Sequence, residues 1–122
     1  EHIQQATLVV EDRSHPATAH LPGAWIRRDE WYNFVSSPRA NTQVLISIDE
    51  ATYDPETSPM GADHPMVWWH WVGKGRVFYS ALGHTTDTYQ EPQFRDFIKG
   101  AITWGLAAPD SNEGEGANND EL

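Results

Sequence analysis

Two strongly apolar segments, separated by a short glycine-containing turn, constrain the fold of this chain more than any other feature. Residues 66–72 and 76–82 are rich in aromatic and aliphatic side chains, and Gly73-Lys74-Gly75 lies between them. This arrangement is typical of a β-hairpin. The two segments are apolar at most positions, without a polar alternate face, which favours a sheet covered on both sides. The chain is therefore expected to fold around a sheet that contains this hairpin.

The remaining pattern predicts three further strands and one helix. We expect strands at 6–11 and 43–48, an irregular strand within 24–34, and a helix at 92–106. The helix carries one apolar stripe, formed by Phe94, Phe97, Ile98, Ala101 and Ile102. A sheet that is apolar on both faces needs helices on both sides. One helix cannot cover both, so we expect an exposed apolar face or edge, and a chain that holds only part of a domain.

Composition and charge exclude several classes of function. The net charge is −10, which disfavours binding to nucleic acids and anionic membranes because both carry negative phosphates. No apolar run reaches the length of about 18 residues that a membrane span needs, and no signal peptide is visible, so we expect a soluble, cytoplasmic or exported protein. Cysteine is absent. Five acidic residues and no basic residue lie in 110–122, so we expect a domain at 1–108 and a disordered acidic tail at 109–122.

The hairpin brings two histidines to the same end of the sheet. A two-residue turn at Gly73-Lys74 aligns His64 with Gly83, whereas a three-residue turn aligns it with His84. In either register, the Cβ atoms of the two histidines lie within about 5–8 Å if strand pairing continues that far. The two histidines are therefore candidates for a common site.

Strand ends extend this candidate site. In open α/β sheets, ligands bind beyond the carboxyl ends of parallel strands. If the predicted strands run parallel, the side chains that follow three of them meet at one edge, namely His15, Asp49, Glu50 and His84. Each also has a purely structural interpretation, as a turn before proline or as a solvated strand end. His70 lies about 20 Å along the strand from the histidine pair and is predicted to pack within the sheet.

Several motifs, in order along the chain, resemble the ThuA-like (trehalose utilisation) family. They are His15-Pro16-Ala17-Thr18, Asp29-Glu30-Trp31-Tyr32-Asn33-Phe34, Asp49-Glu50, Asp63-His64-Pro65, Gly73-Lys74-Gly75-Arg76-Val77-Phe78-Tyr79 and Leu82-Gly83-His84-Thr85. The resemblance covers about residues 6–106. It implies a flavodoxin-like three-layer α/β sandwich of the class I glutamine amidotransferase-like type. This chain would hold the C-terminal half, completed by a missing N-terminal half or an oligomer partner.

The resemblance also implies a set of site residues. His64, His84 and Glu30 are the candidate catalytic residues, and Tyr32 and His15 are candidates for binding the substrate. A divalent metal such as zinc is compatible with the family, and its ligands would come from the two catalytic histidines, Glu30 and His15. Trp31 and Tyr32 offer aromatic rings on which a sugar can stack.

Three functions remain open at this point. The first is an enzyme that acts on trehalose or a keto-sugar, with a histidine as general acid or base, assisted by Glu30 or by a metal. The second is a non-catalytic carbohydrate-binding module, and the third is an inactive, truncated fragment. Glutaminase activity needs a cysteine nucleophile, and this segment contains none.

Overall fold

The computed structural model describes residues 2–107 and consists of one five-stranded sheet with a C-terminal helix. The strands are β1 (Ile3–Val10), β2 (Ala24–Glu30), β3 (Gln43–Ile48), β4 (Pro65–Val72) and β5 (Gly75–Ser80), and the helix is α1 (Pro92–Leu106). Short 3-10 turns lie at Arg39–Asn41, Glu50–Thr52 and Thr86–Gln90. The strand order is β2-β1-β3-β4-β5. The predicted tail at 109–122 lies outside the described residues.

The predicted strands and helix are confirmed, but the hypothesis of parallel strands is wrong. Every neighbouring pair in the sheet is antiparallel. The connections between strands contain loops and 3-10 turns but no α-helix, whereas parallel neighbours are usually joined by a helical crossover. Proline and glycine in these connections indicate loops and turns in place of crossover helices. In the described part of the chain, no helix has the length and apolarity to cross a membrane.

The hairpin of β4 and β5 closes with the two-residue turn. Val72 pairs with Gly75, and Gly73 adopts a positive φ of 59°, which glycine tolerates without strain. Pairing continues beyond β5, because the Ala81 N–H donates to the Met66 carbonyl at 2.9 Å. The segments that precede β4 and follow β5 therefore lie at the same end of the hairpin.

The sheet is curled, because its two edge strands approach each other at one end. β2 and β5 occupy opposite edges in the strand order. Even so, the Asp29 side chain near the end of β2 accepts hydrogen bonds from the backbone of Gly83 and His84, which follow β5. The Asp29 side chain and the backbone of Gly83 and His84 thus join the two edges of the sheet. The candidate site residues lie at this junction.

Helix α1 covers one face of the sheet and completes the core. Phe94 and Phe97 are fully buried, and the Phe97 ring lies 6.1 Å from that of Trp25 and 5.8 Å from that of Phe78. Burying one such aromatic side chain stabilises the fold by about 1.5–3 kcal/mol. Ile102 departs from the predicted stripe and is 56% exposed, since it lies about 80° around the helix from Phe94.

The opposite face of the sheet is only partly covered. The loop after β2 places Phe34 against Trp68 and Tyr79, at ring distances of 5.4 and 6.1 Å. Elsewhere, large apolar side chains on this face remain exposed, namely Val9, Ile26, Val72, Val77 and Tyr79. The predicted exposed apolar face is therefore confirmed.

The loop between β1 and β2 packs closely against the helix at one glycine. A Cβ atom added at Gly100 would lie 2.3 Å from the Pro16 carbonyl oxygen and 2.8 Å from the Cα of Ala17. Backbone atoms cannot rotate away as a flexible side chain can. The absence of a side chain at this position therefore sets the distance between loop and helix.

Replacing Gly100 by alanine is expected to lower the free energy of unfolding by about 1–3 kcal/mol, because the overpacking outweighs the higher helix propensity of alanine. Gly105 provides a matched control in the same helix, since an added Cβ would meet nothing within 4 Å. Gly105→Ala is expected to be neutral or to stabilise by up to about 1 kcal/mol. Urea denaturation measures both variants, and equal effects would contradict the close packing at Gly100.

Candidate functional site

A histidine and a carboxylate meet on the surface where the two edges of the sheet join. The Nε2 atom of His84 lies 3.0 Å from Glu30 Oε2, and its Nδ1 atom lies 3.3 Å from the Tyr32 hydroxyl. The His84 side chain is 47% exposed. An ionised carboxylate only accepts hydrogen bonds, so in the neutral ring Nε2 carries the proton and Nδ1 the lone pair. The Tyr32 hydroxyl then donates to Nδ1.

The backbone of His84 is fixed by the turn that precedes it. Gly83 has a φ of +104°, and a Cβ atom there would lie 2.7 Å from the Tyr89 hydroxyl. That hydroxyl donates to the Gly83 carbonyl at 2.9 Å. From the other side, Asp29 accepts the N–H groups of Gly83 and His84 at 2.8 and 2.9 Å. The turn therefore depends on a glycine and on hydrogen bonds from both sides.

A second histidine–carboxylate pair lies beneath the surface. His64 is fully buried, with Nδ1 2.8 Å from Glu50 Oε2 and Nε2 2.8 Å from the Tyr32 carbonyl oxygen. Burial raises the pKa of Glu50, but the N–H groups of Met60 and Gly61 and the His64 ring outweigh it, so the pKa is lowered overall. Glu50 is therefore ionised. The Tyr53 hydroxyl also lies 3.4 Å from His64 Nδ1, so protein oxygens surround both ring nitrogens.

Tyr32 connects the two histidines. Its carbonyl oxygen accepts from His64, and its hydroxyl contacts His84. Partial burial, followed by the negative charges of Glu30 and Asp29, raises the pKa of the Tyr32 hydroxyl. Tyr32 therefore stays neutral at physiological pH and remains a hydrogen-bond donor. The predicted placement of His64 and His84 at the same end of the hairpin is confirmed.

His15 does not join this group. The predicted convergence depended on parallel strands, but the chain reaches His15 beyond the Val10 end of β1, whereas Glu30 pairs with Ile3 at the other end. His15 is buried among aromatic rings, with ring centroids 4.8 Å from Trp104, 5.5 Å from Phe78 and 6.5 Å from Trp69. It is thus a core residue that secures the loop between β1 and β2 against α1.

Trp31 is also inward-facing. Its side chain is buried, and its indole N–H donates to the Gln4 carbonyl at 2.8 Å. Of the two aromatic residues predicted to stack on a sugar, only Tyr32 is exposed, at 39%. Tyr79 offers another exposed aromatic ring, stacked on Trp68 at 4.4 Å with an interplanar angle of 16°.

The four predicted metal ligands do not form a common site. His64 uses both of its ring nitrogens on protein acceptors, His84 pairs with Glu30, and His15 lies in the core. Within residues 2–107, no group of three or more histidine, aspartate or glutamate side chains is arranged to hold a metal ion. A zinc ion takes three or four protein ligands, so the donors present in this part of the chain do not fit one.

One residue of the site, Asp29, is not indicated by the sequence beyond its place in a family motif. Glu50, expected near the histidines as a strand-end side chain, does contact His64, although the strands are antiparallel. The signal for Asp29 is its spacing from Arg27, since both alternate with outward-facing residues and must point into the core. Two opposite charges on the inner face of a strand indicate a buried ion pair.

Fold and site together define a small α+β protein with one covered sheet face and a surface histidine–carboxylate pair. The chain matches the family model ThuA, described as trehalose utilisation, over residues 1–105. It therefore belongs to the ThuA family, as its motifs predicted. A comparison with curated proteins finds no match.

Two solved structures share the fold. A ThuA-like protein from Bacteroides uniformis ATCC 8492 superimposes with a TM-score of 0.71 at 24% sequence identity, over 89% of this chain and 46% of that chain. A ThuA-like protein from Parabacteroides merdae ATCC 43184 gives a TM-score of 0.68 at 24% identity, over 90% of this chain and 41% of that chain. The chain thus spans less than half the length of either protein.

Protonation of His15 is expected to destabilise the fold. Burial lowers the pKa of His15 to about 4; the charge of Asp12 opposes this shift and Arg76 adds to it. In the unfolded chain the imidazole titrates near pH 6.5, so below that pH the unfolded state binds a proton that the folded state does not. The contribution of neutral His15 is complete above about pH 6.5 and is lost as the pH falls towards 4, by up to roughly 3 kcal/mol.

His15→Asn is the variant that isolates this effect. The His15 Nδ1 atom accepts the Ala17 N–H at 3.0 Å, and an asparagine side chain can accept the same donor without titrating. Denaturation of both proteins from about pH 7 to about pH 4 should show the wild type losing stability relative to the variant. A stability difference that does not change with pH would contradict the lowered pKa.

Proposed function

We propose that the chain carries an acid–base site for the utilisation of trehalose or of a keto-sugar derived from it. The observation behind this proposal is the contact of His84 with both Glu30 and Tyr32, at 3.0 and 3.3 Å. A base oriented by a carboxylate and placed beside a hydroxyl donor is the arrangement that general acid–base catalysis needs. The substrate class is supported by the family, which is described as trehalose utilisation.

Each of the three side chains has its own role in this proposal. Glu30 accepts the Nε2 proton of His84 and so selects the tautomer with a basic Nδ1. Neutral Tyr32 donates a hydrogen bond to a sugar oxygen, which replaces Nδ1 as its acceptor. His84 then takes a proton from a sugar hydroxyl, or from a carbon beside a keto group, and returns it as an acid in a later step.

His64 has a positioning role in the same proposal. Both of its ring nitrogens are engaged by protein oxygens, at 2.8 Å each, and its side chain has no exposed surface. It therefore has no free nitrogen with which to take a proton from a substrate. Through its bond to the Tyr32 carbonyl it supports the segment that presents the Tyr32 hydroxyl to His84.

A non-catalytic carbohydrate-binding module is the second candidate. It is supported by the exposed rings of Tyr32 and Tyr79, which are 39% and 41% exposed. One face of Tyr79 is stacked on Trp68, so the ring is held in a fixed orientation. Aromatic side chains with a few placed polar groups are typical of small-molecule sites. A binding module would bind a sugar without converting it, whereas an inactive fragment would neither bind nor convert the sugar.

The complete functional unit in this proposal is larger than the described sheet and helix. The sheet would form one portion of a flavodoxin-like, three-layer sandwich, completed by an N-terminal half of the domain or by an oligomer partner. Two observations support this proposal: the exposed apolar side chains on the face opposite α1, and the small share of the ThuA-like chains that this chain covers. Large exposed apolar patches often mark interaction sites.

His84→Ala is expected to reduce kcat/KM on trehalose or its keto derivative by about 10²–10⁴-fold, because the proton-transfer group is removed. Glu30→Gln should reduce it less, because the base remains and only its orientation is weakened. His70→Ala is the matched control, since His70 lies within β4 and its Nδ1 contacts the Trp71 carbonyl at 3.2 Å. Its turnover should equal that of the wild type.

Sugar binding measured by calorimetry separates the candidates. Binding that persists without turnover, in the wild type and in His84→Ala alike, would replace the catalytic proposal with the binding module. A chain that neither binds nor converts these sugars would exclude both.

The chain by itself is expected to self-associate and to bind the dye ANS through its exposed apolar face. Replacing Ile26 and Val77 by lysine should reduce association and dye binding with little loss of stability, because both side chains face solvent. Val35→Lys is the control, since Val35 is fully exposed in the loop after β2. Sedimentation velocity gives the oligomeric state, and a wild-type monomer without dye binding would refute the proposed interface.

A further inference from the structure

We infer that Asp29, held by Arg27, is a positioning residue that sets the geometry of the His84–Glu30 pair. This inference rests on the proposed acid–base function. Asp29 does not reach the surface, because its side chain has no exposed area. Its role is therefore exerted through the two residues that it holds.

One oxygen of Asp29 holds the backbone of both members of the pair. Oδ1 accepts the Glu30 N–H at 2.8 Å and the His84 N–H at 2.9 Å. Glu30 ends β2 and His84 follows β5, and these strands form opposite edges of the sheet. A single acceptor shared by two N–H groups limits the separation of the two backbones. The 3.0 Å contact between the side chains of His84 and Glu30 depends on that separation.

The other oxygen of Asp29 connects the site to a buried cation. Oδ2 accepts the Gly83 N–H at 2.8 Å and an Nη1–H group of Arg27 at 2.5 Å. Arg27 also donates to both carboxylate oxygens of Glu91, at 3.0 and 3.2 Å, and to the Thr88 hydroxyl at 3.1 Å. The negative charge of Asp29 is thus paired, and both of its oxygens are occupied. Unpaired, a buried carboxylate would be strongly destabilising.

The hydrogen bonds of Asp29 serve the site as well as the packing of the core. A structural ion pair needs no contact with the residues of a site, yet three of the four donors to Asp29 are the N–H groups of Glu30, Gly83 and His84. Small misplacements of a reacting group cost large factors in rate. Because Asp29 accepts N–H groups from both Glu30 and His84, it is suited to fixing the distance between the base and the carboxylate that orients it.

Asp29→Asn tests the inference, because it keeps the shape of the side chain and replaces one acceptor oxygen with a donor that opposes the N–H groups. Amide hydrogen exchange of Gly83 and His84 should accelerate on the order of tenfold or more, as expected for the loss of a hydrogen bond to a charged group. The rate at which diethyl pyrocarbonate modifies His84 should rise towards the rate in Glu30→Gln, in which the pair is uncoupled directly.

Two further variants keep the test decisive. Ile46→Ala removes a buried side chain of β3 and controls for lost stability, so it should leave the reactivity of His84 unchanged. Tyr89→Phe removes only the hydroxyl bond to the Gly83 carbonyl, and it should shift the reactivity of His84 in the same direction as Asp29→Asn, by a smaller factor. It serves as the test if Asp29→Asn does not fold.

The outcomes also separate this inference from the proposed function. If Asp29→Asn and Tyr89→Phe leave the exchange and modification of His84 unchanged, or if Ile46→Ala changes them equally, Asp29 is only a core residue. If they change as expected while His84→Ala keeps full turnover, the positioning is confirmed and the acid–base function fails.

Discussion

The buried ion pair of Arg27 and Asp29 is the interaction on which the rest of this structure depends. Strand order alone would leave β2 and β5 as two free edges of an open sheet. Asp29 joins them at one end through the backbone of Gly83 and His84. Arg27 makes this possible by balancing the charge and by reaching Glu91 just before α1. The same ion pair thus contacts the closed end of the sheet, the segment before the helix and the backbone of the surface site.

Local features of this fold could be predicted because they follow from periodicity and turn chemistry. The apolar segments around Gly73-Lys74 require a hairpin, and the hairpin alone places His64 and His84 at one end. The helix begins at Pro92 as its stripe and proline indicate. Strand direction could not be derived in the same way, since the rule for parallel sheets was applied to a sheet whose connections contain no α-helix. The same error placed His15 near the site.

The interactions between side chains were less accessible from the sequence. No spacing rule relates Asp29 to Gly83, or Glu50 to His64, because the loops that bring them together have irregular backbones. Tyr32 illustrates the difficulty: the family motif indicated its hydroxyl, yet its carbonyl oxygen also matters, as the acceptor for His64. Arg27 and Asp29 did leave a signal, since charged residues on the inner face of a strand must find partners.

The two histidine–carboxylate pairs contain the same chemical groups, but burial of one pair and exposure of the other give them different roles. His64 and Glu50 are enclosed, and every polar atom of the ring meets a protein acceptor. Neither ring nitrogen is exposed, so the pair stabilises a loop but has no free nitrogen with which to exchange a proton with a ligand. His84 and Glu30 present the same two groups at the surface, with Tyr32 as the third partner. The exposed Tyr32 hydroxyl can exchange its hydrogen bond with His84 for one with a ligand, whereas the buried Tyr32 carbonyl cannot release His64 in this way. The exposed pair is therefore the one suited to acid–base chemistry.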